Sequence, residues 1–287
     1  MEDINQVIAN LSQGVLPSED QVVDICNKAK QIMSGEPNVV KIDAPVTIVG
    51  DIKVQYKYVT DIFAKQGGLG QKTYVFLGGY VNRSKNGLEI LLHLLCLKIL
   101  YPQKIFILRG HMEIKTISQT YGFSDECKHK YPGSDAVFNA CVETFNFMLL
   151  GALIQGSVLC LHGGLSPSIQ KVNEIDALDR FQDCPQEGSM CDLIWSDPDD
   201  ATENWAANPR GAGYLFGKTP LEEFLKNNGL DFIVRGHQLI QEGHRLQFDN
   251  KCITVWSGPN YTDQCGNAGS VMTLNQDLTY SFDTAQP

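Results

Sequence analysis

Asp51, His111, His162 and His237 each stand directly behind a short apolar run, in TIVGD, ILRGH, LCLH and IVRGH. Imidazoles and a carboxylate are metal ligands and phosphate partners, and open α/β sheets gather such groups just beyond the C-terminal ends of their strands. The spacings are long: 60 residues from Asp51 to His111, 51 to His162 and 75 to His237. No local zinc signature such as H-E-x-x-H is present. Each histidine alone reads as a hydrogen-bonded structural residue; together the four read as a metal or phosphate site. Both readings stay open at this point. The tripeptide Arg-Gly-His occurs twice, at Arg109–His111 and Arg235–His237.

The elements that must position these residues follow from periodicity. Ser18 and Gln21 fit a capping box, and Val22, Ile25, Ala29, Ile32 and Met33 follow at helical spacing until Gly35 and Pro37. From Ala44 short strands alternate with helices. The predicted strands are 45–50, 73–79, 104–110 and 157–164, and the predicted helices are 56–67, 87–102 and 135–154. Segments 231–237, 252–260, 270–275 and 278–282 read as further strands, forming a second, mixed or antiparallel sheet packed on the first. The expectation is an α/β core in a single domain over 1–287, with a helical cover over about 1–43 and the core over about 44–287.

Composition narrows the function classes. The chain has 287 residues, 43% hydrophobic and 20% charged, and a net charge of −10. That is globular, and too acidic for a nucleic-acid partner, whose phosphates need a basic face. Nine scattered cysteines without C-x-x-C predict reduced, buried thiols. The apolar run 88–100 is broken by His93 and Lys98 and is too short to cross a bilayer, so no membrane insertion is expected. The start of the chain carries no run of signal-peptide length, and a cytoplasmic location is expected, with the nucleus or a cytoskeletal assembly as alternatives.

Longer stretches make the pattern specific: TYGFSDECKHKY, LHGGLSPSI, ALDRFQDCPQEGSMCDLIWSDPDD, NPRGAGYLFG and RGHQLIQEG. They resemble the phosphoprotein phosphatase family of metal-dependent serine/threonine phosphatases, of the type 2A kind, over nearly the whole chain. The resemblance implies a calcineurin-like metallophosphoesterase fold, a central β-sandwich of two mixed sheets flanked by helices, with a two-metal site at the strand ends. It also exposes departures. Where the family has Gly-Asp-x-His-Gly, this chain has Gly50-Asp51-Ile52-Lys53-Val54. For Gly-Asp-x-Val-Asp-Arg-Gly it has Gly78-Gly79-Tyr80-Val81-Asn82-Arg83-Ser84, and for Arg-Gly-Asn-His-Glu it has Arg109-Gly110-His111-Met112-Glu113.

By this resemblance Lys53 stands at a metal histidine, Gly79 at the bridging aspartate, Asn82 at the carboxylate that orients the acid, and Met112 at the general acid. Asp51, His111, His162 and His237 remain as a residual set for at most one ion. Arg83, Arg210 and Tyr261 remain as residual phosphate-binding residues. Two dications need a bridging carboxylate, which Gly79 lacks, and Met112 holds no transferable proton. Lys53 is expected to pair with Asp51. The expectation is therefore a pseudophosphatase, an inactive binding or structural subunit of a protein complex, with no cofactor required. The alternatives are a phosphopeptide reader using the arginines, or a weak hydrolase of phosphomonoesters with one divalent ion: zinc, manganese or iron. Partners are protein subunits and a phosphoprotein ligand.

Overall fold

The computed structural model describes residues 3–53, 56–65 and 70–287. Val54 of the first motif and the end of the predicted helix 56–67 lie outside the described residues. Two mixed sheets pack face to face. In one, Val46–Val49, Thr73–Phe76 and Ile105–Ile107 run parallel, with Gly269–Leu274 antiparallel beside Val46–Val49 and Tyr280–Ala285 at the edge. The other has the order Val39–Ile42, Gly151–Ile154, Val158–Cys160, Phe232–Arg235, Cys252–Val255, His244–Gln247, with the three strands from Val158 to Val255 parallel. Strands covered on both faces read as unbroken apolar runs, as these do. Ile48, Val75, Ile154, Val234, Ile253 and Met272 fill the space between the sheets.

Helices cover the two outer faces. Glu19–Ser34 begins at the expected capping box of Ser18 and Gln21 and buries Val22, Ile25, Ala29 and Met33. Gly87–Leu100 is apolar on all sides and sits wholly inside the cover; its twelve residues from Gly87 to Lys98 are buried. The expected sandwich of mixed sheets flanked by helices is what the chain forms.

Three details of the reading need correction. The predicted helix 135–154 ends at Phe145, and Gly151–Ile154 is a strand. Ala152 and Ile154 face the opposite sheet while Leu153 packs towards the outer helices, an alternation of two that a short apolar run hides. The expected helical cover contains the strand Val39–Ile42, which pairs in parallel with Gly151–Ile154. The later strands do not form a sheet of their own: Phe232–Arg235 and Cys252–Val255 extend one sheet, while Gly269–Leu274 and Tyr280–Ala285 extend the other.

Candidate active site

The parallel strands of both sheets end on one side. Asp51 follows Val46–Val49, Gly79 follows Thr73–Phe76, and His111 follows Ile105–Ile107. His162 follows Val158–Cys160 and His237 follows Phe232–Arg235. The strand ends thus bring together five residues scattered over 187 positions. Gly78 makes the crowding possible: its φ is +111°, and a Cβ there would lie 2.6 Å from His162 Nδ1.

The three imidazoles converge. His111 Nδ1 lies 2.8 Å from His162 Nε2 and 2.9 Å from His237 Nδ1. His162 Nδ1 donates to the Leu77 carbonyl, 2.7 Å away, which leaves its Nε2 as a lone pair aimed into the cluster. Burial holds all three rings uncharged. The pKa of His162 falls to about 4, and those of His111 and His237 lie well below the ordinary histidine value, with Lys53 adding to the effect on His111. One proton on His111 Nδ1 can point squarely at only one of its two neighbours. Among the described residues His237 Nε2 is buried without a hydrogen-bond partner. Three neutral imidazoles with converging ring nitrogens are a donor set that fits a divalent cation once the His111 proton sits on Nε2, and the outward hydrogen bond of His162 is the kind that orients such a ligand.

Asp51 stands beside this cradle and is not one of its three members. Its Oδ1 accepts from the His237 backbone N–H at 2.8 Å. Its Oδ2 faces Lys53 Nζ at 2.8 Å, with both side chains buried, so the expected pairing forms. Burial pushes the Asp51 carboxyl up, but the Lys53 ammonium and His162 bring it below its ordinary value. The ammonium also lies 5.2 Å from the centre of the Trp256 ring and 5.6 Å from that of Tyr261. A Cβ at Gly79 would meet Asp51 Oδ2 at 2.1 Å.

Asn82 and Met112 are packed and buried. Asn82 donates to the Met112 carbonyl at 3.1 Å and accepts from the Phe123 N–H at 3.1 Å; Met112 is buried in the helical core. Of the two residual arginines, Arg210 stands near enough to the imidazoles for its charge to help lower the pKa of His111 and His237. Arg83 lies over the Tyr121 ring, 4.7 Å from its centre, and Arg210 Nε donates to Asp197 Oδ2 at 2.7 Å. Tyr261 packs edge-on against Trp256. A cavity of about 870 Å³ opens beside the site, lined by Lys53, Lys57, Arg83, Lys85 and Tyr121 among others.

Three contributors escaped the reading of single positions. Trp195 packs edge-on against His111 and His237, with ring centres 5.1 and 5.7 Å away. Asp197 binds Arg235 at 2.7 Å as well as Arg210, and these guanidinium groups keep its carboxyl ionised below the usual range despite burial. Glu113 accepts from the N–H groups of Gly79, Tyr80, Val81 and Gly110, tying the second motif to the third. The stretch IWSDPDD and the Glu of the third motif carry these residues, so resemblance marked the segments without assigning the roles.

Comparison with known proteins agrees with this geometry. The calcineurin-like phosphoesterase family matches residues 44–241. A serine/threonine-protein phosphatase 4 catalytic subunit from Kluyveromyces lactis is 42% identical over 98% of this chain and 91% of its own length. The protein of that name from Candida glabrata is 44% identical over 98% of this chain and 90% of its own. A protein serine/threonine phosphatase from Saccharomyces cerevisiae with similarity to human phosphatase PP5 superposes with a TM-score of 0.92 at 31% identity, over all of this chain and 96% of its own. A cold-active protein-tyrosine phosphatase from Shewanella, at 17% identity and a TM-score of 0.62, shares the fold.

These findings correct the expectation of an inactive subunit with a degenerate metal site. Relatives 42–44% identical over almost the whole chain carry the name of catalytic subunits, and the three-histidine ligand set is assembled here. The chain belongs to the calcineurin-like phosphoesterases and, among them, to the phosphoprotein phosphatase family of serine/threonine phosphatases.

Proposed function

We propose that this protein is a phosphomonoester hydrolase acting on phosphorylated polypeptides with a single divalent ion. The observation that carries the reading is the cradle of His111, His162 and His237, whose nitrogens approach within 2.8 and 2.9 Å. A bound divalent ion supplies Lewis-acid polarisation of a phosphoryl oxygen and a more acidic water. The chain's own part is to hold the three rings neutral by burial, to fix the His162 tautomer through Leu77, and to set positive charge beside the cradle through Lys53. Manganese, iron and zinc all accept imidazole. Met112 offers no proton to the leaving oxygen, and loss of a positioned acid costs about 10²–10⁴-fold, so turnover is expected to be slow.

The phosphopeptide-reader alternative is less favoured, because Arg83 lies over the face of Tyr121 and only Arg210 keeps a guanidinium face beyond its Nε bond to Asp197. The catalytic-subunit names of the relatives support a place for this chain in a protein assembly. Nine unbridged cysteines support a reducing compartment, as in the cytoplasm.

The test is phosphate release from a phosphothreonine peptide by the chelated protein, resupplied with manganese, iron or zinc. Metal-dependent release that disappears in His162→Ala is expected. A protein that takes up metal and releases no phosphate beyond the chelated control would refute the reading.

A further inference from the structure

Lys53 is a buried cation with donors to spare. Its side chain is 2% exposed and its Nζ meets Asp51 Oδ2 at 2.8 Å. An ammonium carries three N–H donors. Nζ lies 5.2 and 5.6 Å from the ring centres of Trp256 and Tyr261, and among the described residues Asp51 is its one oxygen partner. A buried ammonium is costly unless its donors find partners.

The side chain also lines the cavity of about 870 Å³, whose wall carries Arg83, Lys57 and Lys85 as further cations and Asp61 and Asp263 as anions. Lys57 is paired with Asp61 at 2.8 Å. Lys53 is the buried end of that cationic wall, whereas Lys57, Arg83 and Lys85 are exposed. A chain of contacts runs from the cavity through Lys53 to Asp51 and on to the backbone of His237.

We propose that Lys53 anchors the phosphoryl group: its free N–H donors take an oxygen of a phosphomonoester dianion entering the cavity. The ammonium then supplies, as a covalent part of the chain, positive charge that a second metal ion would otherwise bring. The inference rests on the hydrolase reading for its substrate class, and it makes a claim that needs no metal. Phosphate should bind the chelated protein through Lys53.

The experiment titrates inorganic phosphate into the chelated protein by calorimetry. Lys53→Met alone would leave a buried unpaired carboxylate, so the variant is Asp51→Asn with Lys53→Met, which removes both charges together. A charge-assisted hydrogen bond is lost, and phosphate binding should weaken about tenfold or more. A double variant that keeps the parent's melting profile and binds phosphate equally well overturns the proposal. Should that variant fail to fold, crystals of the unaltered chain grown with phosphate decide: an oxygen within about 3 Å of Lys53 Nζ supports it, and phosphate bound elsewhere overturns it. Turnover is measured separately with metal present. Phosphate binding through Lys53 without any turnover would therefore sink the hydrolase reading alone, and turnover with no role for Lys53 in phosphate binding would sink this inference alone.

Discussion

The Cβ that Gly79 lacks would lie 2.1 Å from Oδ2 of Asp51. That is far inside any non-bonded contact, and the Gly79 φ of +74° disfavours a side chain independently. Asp51 thus occupies the space a longer residue at 79 would fill, and Lys53 holds it there. The three positions form one interlocked arrangement: an ammonium in place of a ligand, a carboxylate turned to meet it, and a glycine that makes room.

Reverting one member should therefore be worse than reverting two. Gly79→Asp alone drives a side chain into a buried ion pair from a strained backbone, and should lower unfolding free energy by about 2 kcal/mol or more. Adding Lys53→His frees Asp51 to move away, so the double variant should recover part of that loss. Urea unfolding of the two single variants and the double closes the cycle, with a favourable coupling of about 1 kcal/mol or more expected. Strict additivity would show that the sites are independent.

His93 gives the fold an acid-sensitive element away from the site. It lies in Gly87–Leu100, hydrogen-bonded to the Tyr56 hydroxyl and stacked on Phe63, and among the described residues its Nε2 has no partner. Burial pushes its pKa down to about 4 from 6.5. The unfolded chain takes up this proton near 6.5 and the folded chain only near 4. The contribution is fully present above the upper value and is lost as pH falls between the two. At about 1.4 kcal/mol per pH unit per group, moving from about pH 7.5 to about pH 5 should destabilise the parent by roughly 2 kcal/mol more than His93→Leu. Equal pH slopes in urea denaturation would contradict it.

What the sequence revealed, and what it hid, follows from how each feature is encoded. Asp51, His162 and His237 could be placed because each ends an apolar run, and a strand end fixes where its next residue lies. The pairing of Lys53 with Asp51 was legible because the two are close in sequence and opposite in charge. The strand Gly151–Ile154 was hidden because its apolar run continues that of the helix before it, and burial on both faces removes the polar alternation that marks a strand. Trp195 and Asp197 were hidden for another reason. Their roles are contacts across the fold, with rings 84 and 42 positions away in the chain for Trp195, which no local pattern records. Arg83 rests on an aromatic face and Arg210 gives its Nε to a carboxylate, and these contacts across the fold are likewise invisible in the motifs.

Trp195 should matter to metal uptake without touching the ion. Its ring braces His111 and His237 edge-on, so Trp195→Ala leaves both imidazoles free to turn. Loss of a group that orients ligands typically weakens metal binding about 10–100-fold. Competition with a metal-sensitive dye should show this, with one equivalent bound at saturation in both proteins. Unchanged affinity in a folded variant would mean that the rings are held by their nitrogens alone.

Asp197 and Arg210 form a pair whose two halves should behave differently when removed. Asp197 binds the fully buried Arg235 through one oxygen and the half-exposed Arg210 through the other. Asp197→Asn strands the Arg235 guanidinium in the interior, and removal of one partner of a buried pair costs about 3–5 kcal/mol. Arg210→Ala removes only the outer partner, whose surface pairing is worth at most about 1 kcal/mol. Only Nε of Arg210 is spent on Asp197 in that pair, so the remaining face of its guanidinium is open to a phosphoryl oxygen. Arg210→Ala should therefore melt close to the parent while raising KM for a phosphopeptide several-fold, with a smaller change in kcat. Asp197→Asn should show the reverse order of effects, a large loss of melting temperature first. If Arg210→Ala unfolds the protein and leaves KM of the surviving fraction unchanged, Arg210 is a structural brace for Asp197 and has no part in binding the substrate.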